Sequence, residues 1–173
     1  MIKKILFFGL PVLVVLLYIY YNLGGFEEPY ISVVETEELM VAGSLYQGPF
    51  EEDSLQETFL KVRDFVANGQ LTGTVAVINY RPGFAPKDSI HQLIGVKVKN
   101  PPEDLPEGWQ VDTLRASRVV RAVIDVHPLA RPTPEDTYEL LVEFARKQAL
   151  ETKSIIVEYY VDETTLWVDI PVR

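Results

Sequence analysis

Two stretches decide the fold: Thr74-Val-Ala-Val-Ile-Asn-Tyr80 and Ser154-Ile-Ile-Val-Glu-Tyr-Tyr160, whose apolar positions coincide at an offset of 80 residues. Both are rich in β-branched and aromatic residues and read as strands. Upstream of the first, Leu39, Val41, Gly43 and Leu45 alternate with Met40, Ala42, Ser44 and Tyr46, a strand covered on both faces. Ser54-Leu-Gln-Glu57 then reads as a capping box opening a helix, with Leu55, Phe59, Val62 and Val66 on one side and Gly69 as its stop. A loop containing Pro82, Gly83 and Pro86 separates the first quoted strand from another at Gln92–Val98.

Beyond a Pro-rich connector at Asn100–Gly108, the order repeats. A long strand region from Trp109 to Val126 leads to Thr133, placed to cap a helix that has Pro134 in its first turn. That helix presents Tyr138, Leu141, Val142, Ala145 and Ala149 on one side and is followed by strands Ser154–Val161 and Thr165–Val172. The fold class expected is α+β: two β-α-β-β repeats with helices on one face of antiparallel sheet.

The N-terminus differs in composition. From Ile5 through Tyr21 every residue except Gly9 and Pro11 is aliphatic or aromatic, and no charge follows Lys4 until Glu27. At helical rise the uncharged stretch would extend about 33 Å, against about 30 Å for a hydrocarbon core. It is expected to be an uncleaved transmembrane anchor, since bulky residues at Tyr18-Ile-Tyr-Tyr21 stand where a signal peptidase needs small ones. With Lys3 and Lys4 before the span and Glu27 and Glu28 after it, the domain is expected outside the cytosol. The expected division is an anchor over residues 1–25 and a globular domain over residues 30–173.

Charge and composition narrow the function. The net charge is −9, and since Lys3 and Lys4 supply +2, the remainder carries −9 − 2 = −11. An acidic domain repels phosphate backbones, so no nucleic-acid partner is expected. There is no cysteine, which excludes disulfides and thiolate chemistry. His91 and His127, the only histidines, have no zinc-ligand spacing, so no metal or other cofactor is expected.

Three segments resemble the GyrI-like family, the effector-binding domain of AraC-type and multidrug-sensing regulators: Tyr46-Gln-Gly-Pro-Phe50, Val157-Glu-Tyr-Tyr160 and the closing Ile170-Pro-Val172. The resemblance covers residues 38–172 and implies a duplication of the SHS2 type, with membrane-tethered relatives among its members. No helix-turn-helix segment precedes the domain in this sequence, and His127-Pro128 stands where the first half has Gly48-Pro49. The resemblance also implies a pocket between the repeats in which a central glutamate meets cationic, aromatic ligands.

Strand alternation puts Ile156, Glu158 and Tyr160 on one face, and the apolar run Leu166, Val168, Ile170 and Val172 leaves Trp167 and Asp169 facing away from the helices. The expected site is the helix-free face, with Glu158, Tyr160, Trp167, Tyr80 and Tyr46 as ligand-binding residues and no catalytic residue. A buried carboxylate is costly unless a cation compensates it, and aromatic faces add cation–π attraction. Two alternatives stay open for Glu158: an internal pair with Arg121, and a general base in hydrolysis of a strained cyclopropane ring. The expected function is membrane-anchored binding of a small hydrophobic or cationic molecule. The alternative is a tethered module with a vestigial pocket, whose acidic surface meets a protein partner.

Overall fold

The computed structural model describes residues 2–48, 52–80, 90–100 and 104–173, with the side chains of residues 2–9 and 52 outside that description. The Pro49-Phe50 half of the turn motif and the loop with Pro82, Gly83 and Pro86 lie outside it.

Among the described residues three α-helices and eight strands follow in the order α1 (Ile2–Asn22), β1 (Tyr30–Glu35), β2 (Leu39–Gly48), α2 (Glu52–Ala67), β3 (Thr74–Tyr80), β4 (Ile90–Val98), β5 (Trp109–Leu114), β6 (Arg118–Asp125), α3 (Pro134–Lys147), β7 (Ile155–Tyr160) and β8 (Thr165–Pro171), with a short 3-10 helix at Pro128–Ala130 before α3. The strands make one antiparallel sheet ordered β1-β6-β8-β7-β3-β4-β2-β5. The run β6-β8-β7 on one side is answered by β2-β4-β3 on the other, and the two meet where β7 pairs with β3. Each edge strand belongs by sequence to the opposite half: β1 precedes β2 but lies beside β6, and β5 precedes β6 but lies beside β2.

Both helices of the domain cover one face. Leu141 and Ala145 of α3 pack on Val120, Ala122, Ile124, Val168 and Ile170. Val62, Phe59 and Val66 of α2 pack on Ala42, Val75, Val77, Ile94 and Val96. Thr133 caps α3, accepting a hydrogen bond from the Asp136 amide at 3.1 Å, and Pro134 begins the helix. The opposite face buries Val41, Ala76, Ile78, Leu93, Val157 and Tyr159 without a helix over it. The sheet curls to achieve this. Tyr80 on β3 hydrogen-bonds Asp112 on β5, although three strand intervals, about 14 Å in a flat sheet, separate them. Gly43 and Gly95 face each other on this concave side. A Cβ on Gly43 would lie 2.3 Å from the Ile94 carbonyl oxygen and one on Gly95 2.2 Å from that of Ala42, so side chains are excluded where the strands approach.

Several expectations need correction. The region 109–126 is two strands, divided at Arg115–Ser117, and β1 was not anticipated. Ser54 lies inside α2, which begins at Glu52, and its carbonyl accepts the Thr58 hydroxyl. Ala149 lies beyond the end of α3 with a φ of 55°. The expected membrane span does not stand: among the described residues no helix is long and apolar enough to cross a membrane. Placement of the domain outside the cytosol rested on that span and falls with it. The residue after α1 meets the domain, with the Leu23 carbonyl accepting the His127 amide at 3.1 Å, while the large apolar side chains described in α1 are exposed.

Candidate functional site

β7 positions the central pair. Its register sets Glu158 opposite Val168 of β8 and Val77 of β3, and Tyr160 opposite Leu166 and Val75. Directly paired residues of an antiparallel sheet share a face. Glu158 and Tyr160 therefore lie on the helix-covered side, with the core residues under α2 and α3.

There they line a cavity of about 610 Å³. Its floor is Asn79, Ile156, Glu158, Tyr160, Leu166 and Val168 of the sheet, and its wall is the segment Pro128–Thr133 with the first turns of α3, including Tyr138. This size is that of a small-molecule site, and its lining mixes apolar with charged and polar groups. Three carboxylates line it, Glu135, Glu139 and Glu158, against one guanidinium, Arg131.

The Tyr160 hydroxyl donates to Glu158 Oε2 at 2.9 Å. Glu158 keeps partial access to solvent, and that access opens onto the cavity. Burial pushes its carboxyl above the usual glutamate range, outweighing the Tyr160 hydrogen bond and the charge of Arg131, which act the other way. Burial, and then the charge of Glu158, likewise push the Tyr160 hydroxyl far up, so it stays a donor. The Tyr160 ring is held edge-on against Phe59 of α2, with centroids 4.7 Å apart. Arg131 is fixed by Nη2, which donates to the carbonyls of Glu163 at 3.1 Å and Thr164 at 3.0 Å.

Of the five residues expected to form the site, Glu158 and Tyr160 are brought together. Tyr46 is on the same face, in the row Tyr46, Gln92, Asn79, Ile156, three strand intervals from β7. Trp167 and Tyr80 are on the concave face: Trp167 pairs with Tyr159 and Tyr80 with Ile155. The expectation that all five share the helix-free face is thus corrected. A further correction concerns Arg121, which pairs with Asp169 at 2.7 and 2.8 Å and lies 4.5 Å from the Trp167 ring, not with Glu158. Arg131 and Tyr138 were not anticipated as cavity residues. Among the described residues no group of acids and histidines is arranged to hold a metal.

No protein-family model matches the chain, and neither does any curated protein. Solved structures do. The EcmrR C-terminal domain superposes with a TM-score of 0.62 at 14% identity, over 84% of this chain and 98% of that one. The fold is shared. SAV2435 bound to tetraphenylphosphonium gives a TM-score of 0.57 at 15% identity, over 83% of this chain and 94% of that one. A hydrolase encoded by lin2189 from Listeria innocua gives 0.54 at 11% identity, over 88% and 97%. These neighbours are consistent with the GyrI-like fold that the three sequence segments resemble.

Proposed function

We propose that this chain binds a small hydrophobic or cationic molecule in the cavity beneath α3, with Glu158 as the counter-charge and Tyr160 as the group that orients it. The observation that carries the reading is a carboxyl displaced upward by burial and facing a cavity of about 610 Å³. An organic cation entering the cavity supplies the compensation an ionised Glu158 lacks. Tyr138 and Tyr160 offer aromatic faces to such a guest, each worth about 0.5–2 kcal/mol when well placed. Tyr46, on the same face, is assigned to the margin of the site; Trp167 and Tyr80 are left out of it. The tetraphenylphosphonium bound by SAV2435 is a guest of this chemical type. We also read the answering strand orders as an internal duplication.

The test is equilibrium dialysis of the full chain against tetraphenylphosphonium, for the parent and for Glu158→Gln. Binding by the parent, weakened about tenfold or more in the variant, supports the reading. Equal binding by both removes Glu158 from the site, and no retention of this cation or of a neutral aromatic probe by the parent rejects it altogether.

A further inference from the structure

The cavity that holds Glu158 also holds a cation, Arg131, whose charge acts on Glu158 without a direct ion pair among the described residues. Arg131 lines the same cavity, and among the described residues no carboxylate lies within ion-pair distance of it. A guanidinium has five N–H donors. Two are used, since Nη2 reaches the carbonyls of Glu163 and Thr164. Nε is buried and meets no acceptor among the described residues, and the hydrogen bonds that Arg131 makes to described residues are both from Nη2. Buried N–H donors without partners are rare in folded proteins because each loses its hydration without replacement. The two carbonyl contacts also pin the guanidinium to the turn between β7 and β8, so it cannot leave the wall for bulk water without breaking them.

A bare lipophilic cation answers Glu158 and repels Arg131. A guest with an acceptor as well as a positive centre answers both. Resting on the reading above, we infer that the natural occupant carries a carbonyl or carboxylate group set against Arg131, in addition to the cationic end set against Glu158. The substrate class is therefore an amphiphilic or zwitterionic amine or onium compound, and Arg131 is a specificity-determining residue of the site.

Two phosphonium probes that differ in the acceptor test this on the full chain: tetraphenylphosphonium and (4-carboxybutyl)triphenylphosphonium. Titration calorimetry of the parent is expected to show the carboxylated probe binding about tenfold tighter, the effect of one charge-assisted hydrogen bond. In Arg131→Gln that advantage disappears while tetraphenylphosphonium binds at least as well, because a competing positive charge is gone. Arg131→Lys, which keeps the charge and can still reach the turn carbonyls, guards against loss of folding and is expected to keep only part of the preference. Equal binding of the two probes by the parent, or a preference that survives Arg131→Gln, overturns the inference and leaves the cation site standing. Failure of both probes to bind the parent overturns the cation site and this inference together.

Discussion

Tyr160 and Glu158, two residues apart on β7, are joined by a 2.9 Å hydrogen bond from the hydroxyl to the carboxylate on the helix-covered face of the sheet. The strand's pleat sends both side chains the same way, and burial keeps the tyrosine protonated so that it remains a donor. This bond is the acid's one direct hydrogen bond among the described residues. Removing it as Tyr160→Phe keeps the ring against Phe59 but strands the carboxylate. Urea denaturation at neutral pH is expected to show a loss of about 1–2 kcal/mol, with m unchanged.

Glu158→Gln should do the opposite to stability. An amide keeps a hydrogen-bonding oxygen for Tyr160 without a charge to desolvate, so the variant is expected to be more stable than the parent at neutral pH, on the order of 1 kcal/mol. The same denaturation experiment checks it, and a less stable Glu158→Gln contradicts the burial argument.

The pH dependence has a definite sign. Burial holds the folded-state pKa of Glu158 above the ordinary glutamate value. Its proton therefore contributes stability that is complete below the unfolded value and is lost as pH rises through the folded value. Tm of the parent should fall relative to Glu158→Gln across that window. Cation affinity should rise over the same window, since the ionised form receives the guest. Tyr160, Arg131, Glu135 and Glu139 face the same cavity, but Tyr160 titrates far above it.

On the concave face, Arg121 and Asp169 form a pair with side-chain exposures of 17% and 2%. Arg121→Met leaves Asp169 buried without its counter-charge, and a loss of about 3–5 kcal/mol is expected by chemical denaturation. Tetraphenylphosphonium affinity should be unchanged, because the sheet lies between this pair and the cavity. A large fall in affinity with stability intact would place the site on the wrong face.

Ala149 follows α3 in the left-handed region, with φ at 55°, while the Leu150 amide bonds back to the Ala145 carbonyl at 2.9 Å. That is a helix ending that favours glycine. Ala149→Gly is expected to raise stability by about 1 kcal/mol, read as an increase in Tm.

Much of this was legible in the residues and some of it was not. The alternation along 155–160 gives away that Glu158 and Tyr160 share a face, and Thr133-Pro134 gives away the start of α3. Pairing register is a different matter. A slip of one residue exchanges the faces of a strand, and no local signal says that Glu158 sits opposite Val168 rather than beside Trp167. The curl that brings Tyr80 to Asp112 depends on a sheet assembled from distant segments. Arg131 was hidden for another reason: Pro128-Leu-Ala-Arg-Pro-Thr-Pro134 has no periodicity, and only the tertiary fold turns it into a cavity wall. The apolar N-terminus misled because an uncharged apolar run does not by itself decide whether a helix spans a membrane.

The central claim is tested most directly by following the side-chain carboxyl carbon of Glu158 by NMR as pH is varied, with and without an excess of tetraphenylphosphonium. A titration midpoint above the ordinary glutamate value of about 4.3, moving downward when the cation is added, is the predicted result. An ordinary midpoint, or one the cation leaves in place, contradicts it.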